Sequence, residues 1–173
     1  MNIRSLRRGL ITLVAATVSV GVLGTTALAA SSSARVEPET RTPAIATAWA
    51  AAWNGTAPQA LANLFTPDAT YTDLAAGASL TGRDQIAGWK SGTDQLIANV
   101  HISITEAFRS GDHVAIETVY SGQIYGAPHP FSVQATTILE MDGKLIASDR
   151  DYYNLATLLT QSGLPLTWTP PGA

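Results

Sequence analysis

The chain has 173 residues, 10 Lys+Arg against 13 Asp+Glu, a formal charge of −3, and no cysteine. That length suits one core and not two, and the acidic balance argues against nucleic acid or an anionic membrane as partner. Without cysteine there is neither a disulfide nor a lipid-modified cysteine anchor.

The first segment, Met1 to about Ala29, reads as an export signal. Arg4, Arg7 and Arg8 form a basic start, Leu10 to Leu23 an apolar stretch, and Ala27-Leu28-Ala29 a small-residue cleavage site. The apolar stretch is shorter than the roughly 20 residues that span a bilayer, so no stable membrane anchor is expected. The protein is expected to be secreted, or exported across the cytoplasmic membrane, after cleavage near Ala29. Arg7-Arg8-Gly9-Leu10-Ile11 also fits a twin-arginine signal, which leaves that route and the general secretory route both open. Removal of the signal leaves 7 basic residues against 13 acidic ones, a formal charge of −6.

Residues 30–41, rich in Ser, Pro and Glu, read as a mobile leader. Thr42-Pro43 then supplies an N-cap followed by a proline at the first helical position, and Ile45, Ala48, Trp49, Ala52 and Trp53 recur at helical spacing until Asn54-Gly55 ends the helix. Thr56-Ala57-Pro58 opens a second, short helix with Leu61, Leu64 and Phe65. Thr66-Pro67-Asp68 turns the chain into a short strand, Ala69 to Asp73, and a third helix carrying Ile86 and Trp89 follows Thr81-Gly82-Arg83-Asp84.

From about Asn99 the period changes to two. Strands are expected over Val100 to Phe108, His113 to Ile124, Phe131 to Met141 and Lys144 to Tyr153, with tight turns at Arg109 to Asp112 and at Asp142-Gly143. Helices first and strands afterwards argue for an α+β fold, a curved antiparallel meander with about three N-terminal helices across one face. Alternation on the last strand places Asp149 and Asp151 on one face and Arg150 and Tyr152 on the other.

The words Trp49-Ala50-Ala51-Ala52-Trp53-Asn54-Gly55, Leu64-Phe65-Thr66-Pro67-Asp68-Ala69-Thr70-Tyr71, Leu80-Thr81-Gly82-Arg83 and Asp142-Gly143-Lys144-Leu145 resemble the nuclear transport factor 2-like superfamily, closest to its SnoaL-like polyketide cyclase and steroid isomerase branch. The resemblance spans about Thr42 to Pro165. It implies a cone of strongly bent sheet closed by helices around a blind pocket, and a fold that hosts isomerases, cyclases, epoxide hydrolases and non-catalytic scaffolds alike.

Three catalytic patterns of that superfamily can be laid on the chain. Ketosteroid isomerases place a general-base aspartate at Asp73, but their oxyanion-donating tyrosine falls at about Trp49 and its acid partner near Thr137; loss of even one such donor costs on the order of a hundredfold in rate. Limonene-type epoxide hydrolases place their water-holding pair at Tyr71 and Asp73 and their base at Asp151, whereas their arginine and acid fall at Thr118 and Tyr120. SnoaL-like cyclases ask chiefly for a carboxylate on the last strand, which Asp149 or Asp151 supplies.

The candidate catalytic residues are therefore Asp151, Asp73 and Tyr120, and the candidate substrate-binding residues Tyr71, Trp49, Trp53, Trp89, Thr118 and Asp149. Each has a plainer reading. Asp149 and Asp151 are satisfied by Arg150 and backbone donors at a sheet end, Asp73 caps a turn, and the tyrosines and tryptophans pack as core. His101, His113 and His129 are scattered, so neither a transition-metal site nor a cofactor is expected. The resulting expectation is a small hydrophobic ligand in a cone pocket, acted on by an aspartate through proton abstraction or water activation. The alternative is a non-catalytic binding or scaffold module, and the superfamily resemblance implies a homodimer paired through the outer face of the sheet.

Overall fold

The computed structural model describes residues 41–170. The expected signal, and the expected leader up to residue 40, lie outside the described residues. The first helix, α1 (Ala44–Asn54), buries Trp49, Ala50, Ala52 and Trp53 along one side, as the helical spacing predicts. It begins one residue later than the sequence suggests. Pro43 itself is the N-cap, no side chain caps the helix, and the Pro43 carbonyl accepts from the Ala46 amide. The short α2 (Pro58–Ala62) follows, with proline in its first turn.

Six strands form one sheet: β1 (Phe65–Asp73), β2 (Ala78–Thr81), β3 (Ile97–Ser110), β4 (His113–Ile124), β5 (Phe131–Asp142) and β6 (Leu145–Tyr153), in the spatial order β2-β1-β6-β5-β4-β3. The last four strands make the expected antiparallel meander; β3–β4 and β5–β6 are joined through two-residue turns whose first members, Gly111 and Gly143, take φ of 58° and 62°, and β4–β5 through the longer loop 125–130. The second turn is Gly143-Lys144, because Asp142 pairs with Leu145.

One pairing departs from the wholly antiparallel expectation: β1 lies parallel to β6. Between them the chain passes through α3 (Arg83–Leu96) and the whole meander, so the last strand returns alongside the first in the same direction. The register sets Tyr71 opposite Asp149 and Asp73 opposite Asp151.

The sheet bends where its registers slip. In β3 a slip between Ala98 and His101 contains Asn99, a non-glycine residue at φ 55°, a conformation that asparagine tolerates. In β6, Met141 faces Ile146 while Glu140 faces Ser148, so Ala147 is an extra residue. That bulge resets the alternation and lets Ile146, in the core, and Asp149, three residues on, face the same way.

The main core gathers Trp49, Phe65, Ile86, Ile116, Leu139 and Ile146, and full burial of each aliphatic side chain contributes about 1.5–3 kcal/mol. A second, smaller cluster joins Ile124, Phe131 and Val133 to Leu158 and Leu159 of α4 (Leu155–Ser162). Asn54 pins α1 to the sheet, its amide donating to the Ile102 carbonyl at 2.9 Å and its oxygen accepting from the Ile102 amide at 2.6 Å.

Candidate functional site

The concave face of the sheet, with α1, α3 and α4, encloses a hollow of about 680 Å³. Its acidic end is built where β1 and β6 run side by side. Because side chains alternate, Tyr71 and Asp73 of β1 and Asp151 and Tyr153 of β6 all point inward. They bond diagonally across the seam. The Tyr71 hydroxyl donates to Asp151 Oδ2, and the Tyr153 hydroxyl donates to Asp73 Oδ2 at 3.1 Å. Thr137 of β5, directly opposite Asp151, donates its hydroxyl to Asp151 Oδ1.

Burial is the largest influence on each acid. It pushes the Asp151 carboxyl up from 3.8 to about 6, against the pull of the Thr137 and Tyr71 donors. Asp73 is raised for the same reason, opposed by the Ala76 amide and the Tyr153 hydroxyl. Asp73 caps the turn, its Oδ1 accepting from the Ala76 amide at 2.7 Å, and its side chain also faces the hollow.

Asp149 does not line the hollow. It is completely buried behind the wall, and its Oδ2 accepts from Trp49 Nε1 at 2.9 Å while Oδ1 has no partner among the described residues. Desolvation and the nearby Asp151 push its carboxyl well above the usual range, toward the protonated form. Asp149 does share a face with Asp151, as the alternation expects, but it bonds to the indole of Trp49, which lines the hollow in its stead. Arg150 satisfies neither aspartate, because it points to the other face and meets Glu140 at 3.0 Å.

Among the other predicted residues, Trp49, Trp53 and Trp89 line the hollow, as do Thr118 and Tyr120. Tyr120 packs edge-on against Phe131 and Tyr153, with ring centroids 5.0 and 5.8 Å away, and burial raises its hydroxyl pKa. Trp53 Nε1 is buried without a hydrogen-bond partner among the described residues. Thr118 and Tyr120 supply neither a cation nor a ready proton at neutral pH.

Several lining residues escape a reading of the sequence. Tyr153 is signalled by the alternation that flags Asp149 and Asp151, being the next residue on that face. Thr137 enters the sequence reading only as the place near which the ketosteroid-isomerase pattern puts an acid; its tie to Asp151 comes from the β5–β6 register. Trp168 reaches the hollow from beyond α4, a connection no local pattern announces. Gly88 and Gly92, one helical turn apart on α3, also line the space; a Cβ added at either would meet nothing within 4 Å, and neither has positive φ. Neither backbone conformation nor packing therefore requires glycine there, and what the two glycines provide is room.

The family model for the SnoaL-like domain matches residues 46–148. A protein from Catenulispora acidiphila DSM 44928, described as having a ketosteroid isomerase-like fold and solved in complex with trimethylamine, is 59% identical, with a TM-score of 0.74 over 75% of this chain and 100% of that one. A candidate SnoaL-like polyketide cyclase from Shewanella denitrificans OS-217 is 17% identical, with a TM-score of 0.61 over 68% of this chain and 93% of that one. An LEH-like epoxide hydrolase from M. tuberculosis is 16% identical, with a TM-score of 0.58 over 68% and 85%. These last two likenesses establish the shared fold and nothing finer. No functionally curated protein matches the sequence.

Proposed function

The chain belongs to the SnoaL-like family, and from that premise we propose that it binds a small hydrophobic molecule in its hollow and that Asp151 acts on it, abstracting a proton beside an activating group or activating a water. The observation that carries this reading is Asp151 itself: enclosed in a largely apolar wall, oriented by two hydroxyl donors, and pushed up to about 6, close to neutral pH. A general base is most effective when its pKa lies near the working pH. Tyr71 and Thr137 fix the carboxylate, Asp73 with Tyr153 forms a second acid close by, and the Tyr120 hydroxyl faces the same space. The complex of the Catenulispora relative with trimethylamine supports a cone that admits a small organic molecule.

In this mechanism the base works without a strong oxyanion donor, so it suits a substrate that delocalises its own negative charge. Replacement of Asp151 by Asn keeps the shape and removes the base. The expected result is a fall in kcat/KM of about a hundredfold or more, with loss of an ionisation near 6 from the pH–rate profile. Full turnover by Asp151→Asn would overturn the assignment.

A second reading, a binding module without chemistry, is favoured by Thr118 and Tyr120 standing where catalytic relatives carry an arginine and an acid. Native mass spectrometry that finds a molecule retained unchanged by the protein, with no turnover of it, would favour this reading. Export through the N-terminal signal and pairing of two copies through the outer face of β4 and β5 complete the proposal. Detection of the cleaved chain outside the cytoplasm tests the first, and light scattering on the purified protein tests the second.

A further inference from the structure

The wall of the hollow carries seven aromatic side chains and two carboxylates, and among the described residues no lysine, arginine or histidine reaches it. The cations nearby are committed elsewhere. Lys90, buried in α3, lies 2.6 Å from Asp94 and donates to the Gly55 carbonyl at 2.9 Å, with Nζ 5.7 Å from the Trp53 ring centroid. Arg150 faces outward to Glu140. Asp73 and Asp151 are thus left with hydroxyl and amide donors alone as stabilisers of their charge.

Aromatic faces attract cations through the ring quadrupole, and a carboxylate in a partly enclosed space acts with less screening than in water. Both formal charges on the wall are therefore negative, and each ring that presents its face to the hollow adds to that field. An anion is repelled, and a neutral molecule gains only apolar contact. A molecule with an apolar body and a positive centre gains from the wall as a whole.

We propose that the hollow selects a small organic cation, a quaternary or protonated alkylammonium group held against the aromatic faces and beside Asp73 and Asp151. The inference rests on the reading of the hollow as a ligand site and names the class of ligand that site prefers. A bound ammonium favours the ionised form of both acids, so one can remain the counter-charge while the other exchanges a proton.

The preference depends on pH with a fixed sign. The ionisable groups at the site are Tyr71 and Asp73 from β1, Tyr120 from β4, and Asp151 and Tyr153 from β6, with Asp149 behind Trp49; α3 presents Gln85, Trp89 and Thr93, and its Lys90–Asp94 pair lies outside the lining. Of these, the acids are protonated more fully as pH falls, and the tyrosines stay neutral throughout. A permanent cation therefore binds more weakly at pH 5 than at pH 7.5.

The test compares choline with its neutral isostere, 3,3-dimethyl-1-butanol, by tryptophan fluorescence and calorimetry on the purified protein. Choline is expected to bind about tenfold more tightly at pH 7.5. The ratio should shrink at pH 5 and in Asp73→Asn. Trp89→Leu should erode it as well, while Trp89→Phe, which keeps an aromatic face, should preserve it; circular dichroism checks that each variant folds. Equal or tighter binding of the alcohol would overturn the cation preference and leave the ligand-site reading standing. Binding of neither molecule would also overturn it, and titration with the neutral apolar dye N-phenyl-1-naphthylamine then decides the ligand-site reading separately.

Discussion

The two faces of β6 present similar chemistry and reach opposite electrostatic states. On the inner face, Asp149 and Asp151 are enclosed, meet only neutral donors, and are pushed toward the protonated form. On the outer side, Arg150 reaches across to Glu140 on β5 in water, and that hydrogen bond holds the Glu140 carboxyl below its usual range. Adjacent positions on one strand thus differ in whether solvent or protein settles the charge. Acids on the dry side are shifted toward the protonated form and lower stability at neutral pH, whereas ions on the wet side do little for stability.

The sharpest way to break this comparison is at Asp149. Asp149→Ala strands the Trp49 indole N–H and leaves a void, with an expected loss of roughly 2–4 kcal/mol in urea unfolding. Asp149→Asn, which keeps an acceptor for Trp49, should retain most of that stability. Equal losses from both would mean that the hydrogen bond to Trp49 is not what holds this part of the wall.

Next in size is the pH dependence of stability. The folded protein retains the Asp151 proton up to about pH 6, whereas the unfolded chain releases it near 3.8. Between those values the folded state binds more protons, so this contribution is full below 3.8 and is lost as pH rises through about 6, a change of about 3 kcal/mol. Asp73 and Asp149 act with the same sign. Thermal melts should therefore show a higher Tm at pH 5 than at pH 7.5, and Asp151→Asn should flatten that slope. Glu140 has the opposite sign, losing stabilisation as pH falls, and is too exposed to offset the inner acids.

A smaller and opposite effect is expected at α3. Gly88→Ala and Gly92→Ala each remove a helix-weakening glycine without a clash and should stabilise by about 1 kcal/mol, while narrowing the hollow and weakening binding of a ligand that fills it. The smallest effect belongs to the wet face, where Arg150→Ala should leave Tm unchanged within error. A clear drop there would show that the outer pair carries more than its exposure suggests.

Much of this was legible before the coordinates. The change of period near Asn99 marks the start of the meander, and alternation puts Asp149 and Asp151 on one face of its last strand. What alternation cannot encode is depth. It assigns Asp149 and Asp151 the same side but not the tryptophan that hides one of them, and it misses the Ala147 bulge because an extra residue leaves no trace in hydrophobicity. The edge strand β2, only four residues long, lacks the length for a periodic signal. The helix α4, for which no element was expected, did carry local cues: the Asn154 side chain accepts from the Thr157 amide, and Gly163 closes the helix at φ 75°. The parallel seam between β1 and β6 and the crossed tyrosine–aspartate bonds are long-range facts, set by how the whole meander returns.

Those two bonds have a consequence for how the protein comes into being. Each joins residues 80 positions apart, so a ribosome-bound chain whose final strand is still unmade possesses neither. Assembly of the acidic centre coincides with the closing of the slowest, least local contacts of the fold. Cleavage that detaches the last strand should extinguish the site in a single step, with no weakened intermediate left behind.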